Sequence, residues 1–469
     1  MTRLKEPENS KHAKFQKRFY YLRASRLSEL SEAENPAGNA LPVFEPVAVP
    51  EKVKVCFLVL FGLVLIALAF CFNTPRALWA GSITILTSPA NLLTDYIELT
   101  NIGSTLLNAG LMTLLSVATI KRARSEVTGI LAAGVFTVTG FSFFGKNLLN
   151  SIPIVLGVIL FSKISRTPFK KNLPQAIFGT ALGPLVSEIT FNLELPVIPA
   201  VLLGFAAGVF VGFVLPPLSS HLRTFHMGFN LYNVGFATGI IGMVFLAVLR
   251  SMGVEVLPVS ILSSGNNKPL SIILFSIFAA VFITGWLYNK RSLRGYKKIL
   301  SIPGKHGTDL FESAGFGISL INMSLLGCFM TAYVLAIKGE INGPVIGGIF
   351  TVAGFGAAGK NIKNVLPILC GVFIANLFNI HTTSSTIPIL AALFGTTLAP
   401  IAGYYGAGWG VAAGFLHMAI TMNIGYLHGG MNLYNNGFSG GFVAAALVPL
   451  ISSYIEIREI RKNKAEKRK

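Results

Sequence analysis

Apolar and polar positions alternate along this chain on the scale of whole helices rather than single turns. Val55–Phe72 (VCFLVLFGLVLIALAFCF) carries no charge over a stretch close to the ~20 residues a helix needs to cross a bilayer. Such runs recur along the chain. Several are rich in Gly and Pro, which membrane helices tolerate because neighbouring groups satisfy the freed backbone. In the first half the pattern predicts seven spans, at about 55–72, 102–120, 127–144, 148–161, 173–191, 197–215 and 235–249. The fourth is short, and the third and fourth could pair as a re-entrant hairpin. The stretch 89–98 is too polar to span and is expected at the interface or dipping into it.

The second half repeats the first. Gly134–Val158 and Gly348–Val372 lie 214 positions apart and agree at 14 of 25 residues. At the same offset Pro89, Asp95, Glu98, Gly103 and Asn108 meet Pro303, Asp309, Glu312, Gly317 and Asn322. After small deletions Phe178–Pro184 (FGTALGP) matches Phe394–Pro400 (FGTTLAP), and His226–Phe236 matches His428–Phe438. Self-similarity over this length marks a structural repeat. An odd number of spans per repeat requires the second copy to enter the membrane upside down.

Charge gives an independent test of that inversion. In the first copy the loop after the second span holds Lys121, Arg122 and Arg124, and the loop after the fourth holds Lys163, Arg166, Lys170 and Lys171. Their counterparts, Ile337–Gly343 and Ile380–Thr386, are nearly devoid of positive charge. The link after the first span reverses this. It has Arg76 in copy one, but Lys290, Arg291, Arg294, Lys297, Lys298 and Lys305 in copy two. The expected architecture is an all-α integral membrane protein of two inverted-topology repeats, each of about seven transmembrane helices, with re-entrant or broken segments. Its parts are a basic tail 1–54, repeat one 55–250, a linker 251–269, repeat two 270–454 and a basic tail 455–469.

Composition agrees: 52% of the 469 residues are hydrophobic, 12% are charged, and mean hydropathy is +0.65. A net charge of +19 invites a nucleic-acid partner, but the basic residues lie in tails and short loops. Lys11, Lys14, Lys17, Arg18, Arg23 and Arg26 precede the first span, and Arg458, Arg461, Lys462, Lys464, Lys467, Arg468 and Lys469 follow the last. This is the positive-inside pattern. It predicts a multi-pass protein of the inner or plasma membrane, both termini cytoplasmic, with no nucleic-acid partner. The first apolar run begins behind the polar stretch Asn35–Pro50, which does not read as a signal peptide. Lys14–Leu27 reads either as a surface-lying basic helix or as a solvated tail. Cys56, Cys71, Cys328 and Cys370 sit singly in apolar spans and read as small buried hydrophobes, without disulfide or metal spacing.

Polar identities shared by the copies supply the candidate chemistry. The GKNxxN block gives Lys146, Asn147 and Asn150, with Lys360, Asn361 and Asn364. The span pattern puts them near span ends, where Lys snorkels, so an amide-capped turn competes with a site for an anionic or polar solute. Pro153 and Pro367 break the helices that follow. The HxGxNLYNxGF block gives His226, Asn230, Tyr232 and Asn233, with His428, Asn432, Tyr434 and Asn435. One Asn suffices for a helix cap, whereas this block supplies two with a Tyr and a His, which favours a solute path. In TDxxE, the pairs Asp95, Glu98 and Asp309, Glu312 have capping-box spacing, and a coupling-ion role is the weaker reading. Gly179, Thr180 and Pro184, with Gly395, Thr396 and Pro400, read as packing. Glu188 and His417 lack repeat counterparts and read as locally hydrogen-bonded or helix-end residues rather than catalytic ones.

The doubled GKNxxNxxPI and NLYNxGF blocks resemble an uncharacterised bacterial family of multi-span membrane proteins carrying a domain of unknown function; the resemblance implies no substrate. A fainter likeness is to urea transporters, which have inverted repeats and a Tyr-Asn-Gly element opening a helix. Tyr232-Asn233-Val234-Gly235 and Tyr434-Asn435-Asn436-Gly437 insert one residue there, and the Leu-Pro-x-x-Thr block of that family has no counterpart. The expected function is a transporter or channel for a small polar or anionic solute, its path at the interface of the repeats. It is not expected to be an enzyme and needs no cofactor or metal. Its partners are the bilayer and the solute, and a homo-oligomer is compatible with the sequence. The alternatives are a membrane-embedded enzyme acting on a lipid or lipid-linked substrate, for which no HExxH, metal cluster or nucleophile elbow is found, and an assembly subunit.

Overall fold

A computed structural model describes residues 46–90, 93–256, 259–378 and 382–466. The expectations for the basic N-terminal tail, including Lys14–Leu27, and those for Ile380 and Lys467–Lys469 lie outside the described residues.

All regular structure among them is helical, and the order of elements repeats. The first series is α1 (Glu51–Phe72), α2 (Pro75–Thr87), α3 (Tyr96–Leu99), α4 (Ile102–Arg122), α5 (Gly129–Phe141), α6 (Leu148–Ile164), α7 (Leu173–Phe178), α8 (Gly183–Phe191), α9 (Val197–Phe225) and α10 (Asn233–Ser251). The second is α11 (Asn267–Tyr288), α12 (Tyr296–Ser301), α13 (Leu310–Ser313), α14 (Phe316–Ala336), α15 (Gly343–Gly354), α16 (Ile362–Leu377), α17 (Thr386–Gly395), α18 (Ala399–Tyr405), α19 (Ala407–Ile424) and α20 (Asn435–Glu466). Helix α1 packs along α4 as α11 packs along α14, and α6 packs along α9 as α16 packs along α19. Glycines let these axes approach. A Cβ on Gly157 would strike the backbone of Val209, and one on Gly371 that of Val411.

Nine helices among the described residues are long and apolar enough to cross a bilayer, so the chain is an all-helical, multi-pass membrane protein. Two expected spans in each copy are shorter than that. Helix α5 has 13 residues, about 20 Å at 1.5 Å per residue against a hydrocarbon core of about 30 Å; α6 has 17. Helix α5 ends and α6 begins around the turn that holds Gly145, at φ +72°, as α15 and α16 flank Gly359, at φ +105°; both glycines take left-handed backbone that L residues avoid. The expected span 173–191 is broken into α7, a 3-10 turn at Gly179–Leu182 and α8, where Gly183 and Pro184 interrupt the helix. At the far end α20 continues to Glu466, so residues 455–466 of the basic tail are helical and run on from the last span. Cys56, Cys71 and Cys370 are exposed and Cys328 partly so. They lie on outward faces of apolar helices and are not buried hydrophobes.

At the centre the short equivalents α5 and α15 run antiparallel. Gly140 packs on Gly347, Gly354 on Ala133, and a Cβ on Gly129 would meet the Ala357 carbonyl. The rings of Phe136 and Phe350, which are counterparts, meet edge to face at 6.2 Å.

Each of these helices is capped from the other series. Asp309 accepts from the Gly129 N–H at 2.9 Å, and Asp95 accepts from the Gly343 N–H. Both carboxylates also cap their own short helices, at Ile97 and at Phe311. Asp95 further binds Ser263, through its N–H at 3.1 Å and its hydroxyl at 2.5 Å. The expected Asp-Glu box does not form, because Glu98 and Glu312 point outward and are exposed. The backbone N–H of Asp95, which Glu98 would have to accept from to close the box, donates instead to the Ile261 carbonyl at 2.9 Å.

These contacts define two ends of the molecule. One gathers Glu51, whose carboxylate accepts from the Val127 N–H, with Gly129, Asp309 and, through the Gly228–His306 backbone bond, the basic link 290–305. The other gathers Asp95, Ile261, Ser263 and Gly343.

Candidate functional site

The GKN blocks form identical turns. The Asn147 side chain accepts from the Asn150 N–H at 3.0 Å, and Asn150 Oδ1 accepts from the Asn147 N–H at 3.0 Å. Asn361 and Asn364 repeat this at 3.1 and 2.9 Å. Two orphan N–H groups at each helix start are thereby satisfied reciprocally. The amides go further: Asn150 and Asn364 donate to the carbonyls of Gly145 and Gly359, each at 3.0 Å. Asn108 and Asn322, from α4 and α14, donate to the Lys146 and Lys360 carbonyls at 2.9 and 2.7 Å. The amide-capped turn therefore accounts for the four asparagines.

It does not account for the lysines. Lys146 and Lys360 are wholly buried; neither snorkels to a span end as the span pattern suggested, because the short helices end inside the protein. Lys360 Nζ donates to the Tyr232 hydroxyl and to Thr396 Oγ1, both at 2.6 Å, and sits 4.4 Å from the centre of the Tyr232 ring. Lys146 Nζ lies 5.3 Å from the centre of the Phe141 ring and has no hydrogen-bond partner. Its counterpart tyrosine, Tyr434, has a buried hydroxyl beside Thr137 that completes no hydrogen bond. Equivalent residues thus stand engaged in one copy and disengaged in the other.

The two tyrosines form the aromatic layer between the copies. The Tyr232 and Tyr434 rings are 5.4 Å apart, Tyr232 stands edge-on to Phe355 at 4.7 Å, and Tyr434 tilts against Phe141 at 4.7 Å. Helix capping does not explain the residues around them. Tyr232, at the cap position, makes no side-chain cap. Asn233 opens α10 and donates to the Ser219 carbonyl at 3.0 Å while His226 Nε2 bonds its Oδ1 at 2.9 Å. In the second copy His428 Nε2 bonds Asn435 Oδ1 at 2.8 Å. Asn230 reaches across the copies to the Gly437 carbonyl at 2.9 Å and accepts from Thr397 at 2.6 Å, and Asn432 accepts from Thr238 at 2.9 Å. His417, read as locally bonded, is held by Asn436 at 3.0 Å and by Thr421 at 3.2 Å. Glu188 accepts from Asn192 at 2.7 Å.

A cavity of about 450 Å³ opens toward the Asp95 end, lined by Phe144, Leu390, Phe394, Thr421, Leu433, Asn435 and Asn436 among others. Its rim carries the exposed Ile387 and Tyr426. At the opposite end a cleft of about 30 Å³ is lined by Pro174, Phe178, Leu231, Asn233, Val234 and His306 with both tyrosines. Leu390, Phe394, Leu433, Asn435 and Asn436 are the repeat counterparts of Pro174, Phe178, Leu231, Asn233 and Val234. The same recess is therefore built twice, spacious at one end and nearly shut at the other. Beside the small cleft, burial together with Arg223 and His226 pushes the His306 imidazole down to about 4.

Residues 74–251 and 288–453 match the family described as protein of unknown function (DUF1576). The chain belongs to that family. No curated protein and no solved structure matches it, and the urea-transporter likeness has no counterpart among these matches. In this family member, Thr396 and Thr397 bond Lys360, Asn230 and Tyr232 and so join the candidate site, which the packing reading of FGTxLxP passed over. Two hydroxyls in the second copy against Thr180 and Ala181 in the first are the signal that sets them apart. The seven-residue spacing of His226 to Asn233, repeated at His428 to Asn435, marks the two imidazole–amide pairs. Among the described residues no group of three His, Cys, Asp or Glu side chains could hold a metal.

Proposed function

We propose that the chain is a membrane transporter for a small polar or anionic solute, not an enzyme, and that it works by alternating access between two inverted repeats. The single observation that carries this reading is the pair of counterpart recesses of about 450 and 30 Å³ on opposite sides of the Tyr232–Tyr434 layer. A two-fold related pair of half-sites, one open and one closed, is what a carrier built from inverted repeats presents in either end state, and exchanging the conformations of the two copies opens the other side. The antiparallel α5 and α15, with their reciprocal aspartate caps, support the inversion. So does the charge of the loops: helix ends at Lys121 and Arg122, at Lys163 and at the link 290–305 gather with the small cleft. By the positive-inside rule that end and the termini face the cytoplasm, and the larger cavity faces outward.

Flux in proteoliposomes tests the reading. Asn233→Leu and Asn435→Leu, each replacing an amide that lines a recess, are expected to abolish counterflow of the solute while the protein still inserts and elutes as a single species. Wild-type flux in both variants would remove these recesses from the pathway.

A further inference from the structure

Resting on that reading, we propose that the solute is a small anion, an inorganic oxyanion or a short carboxylate, and that Lys146 is the group that binds it in the conformation described here. Four observations converge.

The first is charge. Lys146 and Lys360 lie fully buried in the centre of the protein, and neither forms an ion pair among the described residues. A buried ammonium without a counter-charge is costly by several kcal/mol, and an intramembrane lysine that is retained marks a solute or ion site. The second is the broken symmetry. Lys360 is satisfied by Tyr232 and Thr396, whereas Lys146 has no partner although Tyr434 and Thr180 occupy the counterpart positions. Thr180 donates to the Ile177 carbonyl at 2.7 Å just as Thr396 donates to the Leu393 carbonyl at 2.6 Å, so the two hydroxyls are used alike and the difference lies in the lysines, of which only Lys360 reaches its threonine oxygen. One lysine is locked and the other is free for a ligand.

The third is access. Phe144, Phe394 and Leu433 form the floor of the larger cavity. The same floor roofs Lys146: Phe394 stands edge-on to Phe141 at 5.7 Å, Phe141 lies against the Lys146 ammonium, and Leu433 packs on Gly145. For the solute to reach Lys146 these side chains must turn aside. The fourth is the chemistry of the approach. No carboxylate lines the cavity, while Asn435 and Asn436 do. Both have their oxygens turned away, toward His428 and His417, which leaves their NH₂ groups as donors to the cavity. Two amide N–H donors on the approach to an ammonium, with no carboxylate in the lining, favour an anion over a cation. In the exchanged state the roles swap: Lys360 takes the anion, and Lys146 takes Tyr434 and Thr180.

The test is binding, separate from flux. The detergent-purified full chain is melted in titrations of sodium phosphate, sulfate, nitrate and acetate at matched ionic strength, with urea and glycerol as neutral probes. At least one anion is expected to raise Tm saturably, as a ligand of the folded state must. Lys146→Met should weaken its half-saturating concentration at least about tenfold, the loss of one charge-assisted contact, while Lys146→Arg restores most of it and Lys360→Met changes it by less than about threefold. Size-exclusion profiles matching wild type establish that the variants fold. If Lys146→Met does not fold, the Lys146→Arg and Lys360→Met titrations decide. Absence of stabilisation by every anion, stabilisation by urea that survives Lys146→Met, or equal loss in the two methionine variants overturns the proposal. Saturable, Lys146-dependent anion binding without flux would instead overturn the transport reading and leave the site standing.

Discussion

Removing a single oxygen atom from each central tyrosine separates the two copies. In Tyr232→Phe the ring remains, so the cation–π contact with Lys360, at 4.4 Å from the ring centre, survives, and only the 2.6 Å bond to the hydroxyl is lost. Lys360 keeps Thr396. A hydrogen bond to a charged group contributes about 1.5–3 kcal/mol. Under the proposed alternating access, that bond belongs only to the state whose small cleft is closed. Its loss is then expected to shift the balance between the two states by roughly 10- to 150-fold toward the form in which that cleft opens. Tyr434→Phe removes a hydroxyl that makes no hydrogen bond here, so it leaves this state alone and penalises the other. Accessibility reads the difference. With the four native cysteines replaced by alanine, Ile130→Cys reports on the small cleft and Met422→Cys on the large cavity. Maleimide labelling in wild type is expected to be fast at position 422 and slow at 130. Tyr232→Phe should speed 130 and slow 422, and Tyr434→Phe should leave 130 slow. Labelling at 130 that is unchanged by Tyr232→Phe, or equally accelerated by both substitutions, refutes the lock.

The carboxylates of the shared TDxxE blocks divide in the same way. Asp95→Ala and Asp309→Ala each strand at least two N–H groups, some of them fully buried, and are expected to cost about 2–4 kcal/mol, read as a lowered denaturation midpoint. Glu98→Gln and Glu312→Gln, on exposed side chains, should change stability by less than about 0.5 kcal/mol, and a loss of flux in either would restore a coupling role. His306 gives a pH signature. Its folded value of about 4 lies below the ordinary 6.5, so the unfolded chain binds the extra proton. Stability is then complete above about pH 6.5 and falls as pH drops toward 4. In His306→Gln the melting temperature should decline less over that window than in wild type.

The repeat and the membrane class were legible in the sequence because both depend on patterns that survive without coordinates: apolar runs, and identities at a fixed offset. The turns around Asn147 and Asn361 were legible for the same reason, since a cap is local. What escaped was distance in the chain. The aspartate caps join Gly129 to Asp309, 180 positions apart, and Asp95 to Gly343, farther still, and Lys360 meets Tyr232 across 128. The depth of the lysines was misread because span ends were equated with the membrane surface, whereas α5 ends and α6 begins at a buried glycine turn. The asymmetry of the two tyrosines is invisible in principle, because it belongs to one conformation and the blocks around them are nearly identical.

The face on which α5 meets α15 is made of counterparts: Phe136 against Phe350, and Gly140 and Gly347 against Gly354 and Ala133. Such a surface is complementary to itself, as the interface of a two-fold dimer is. Two free half-length chains could close on each other through it without any third participant. Joining them end to end frees each half from having to match the other, and the sequence records this: where FGT is followed by Ala181 in one half, it is followed by Thr397 in the other.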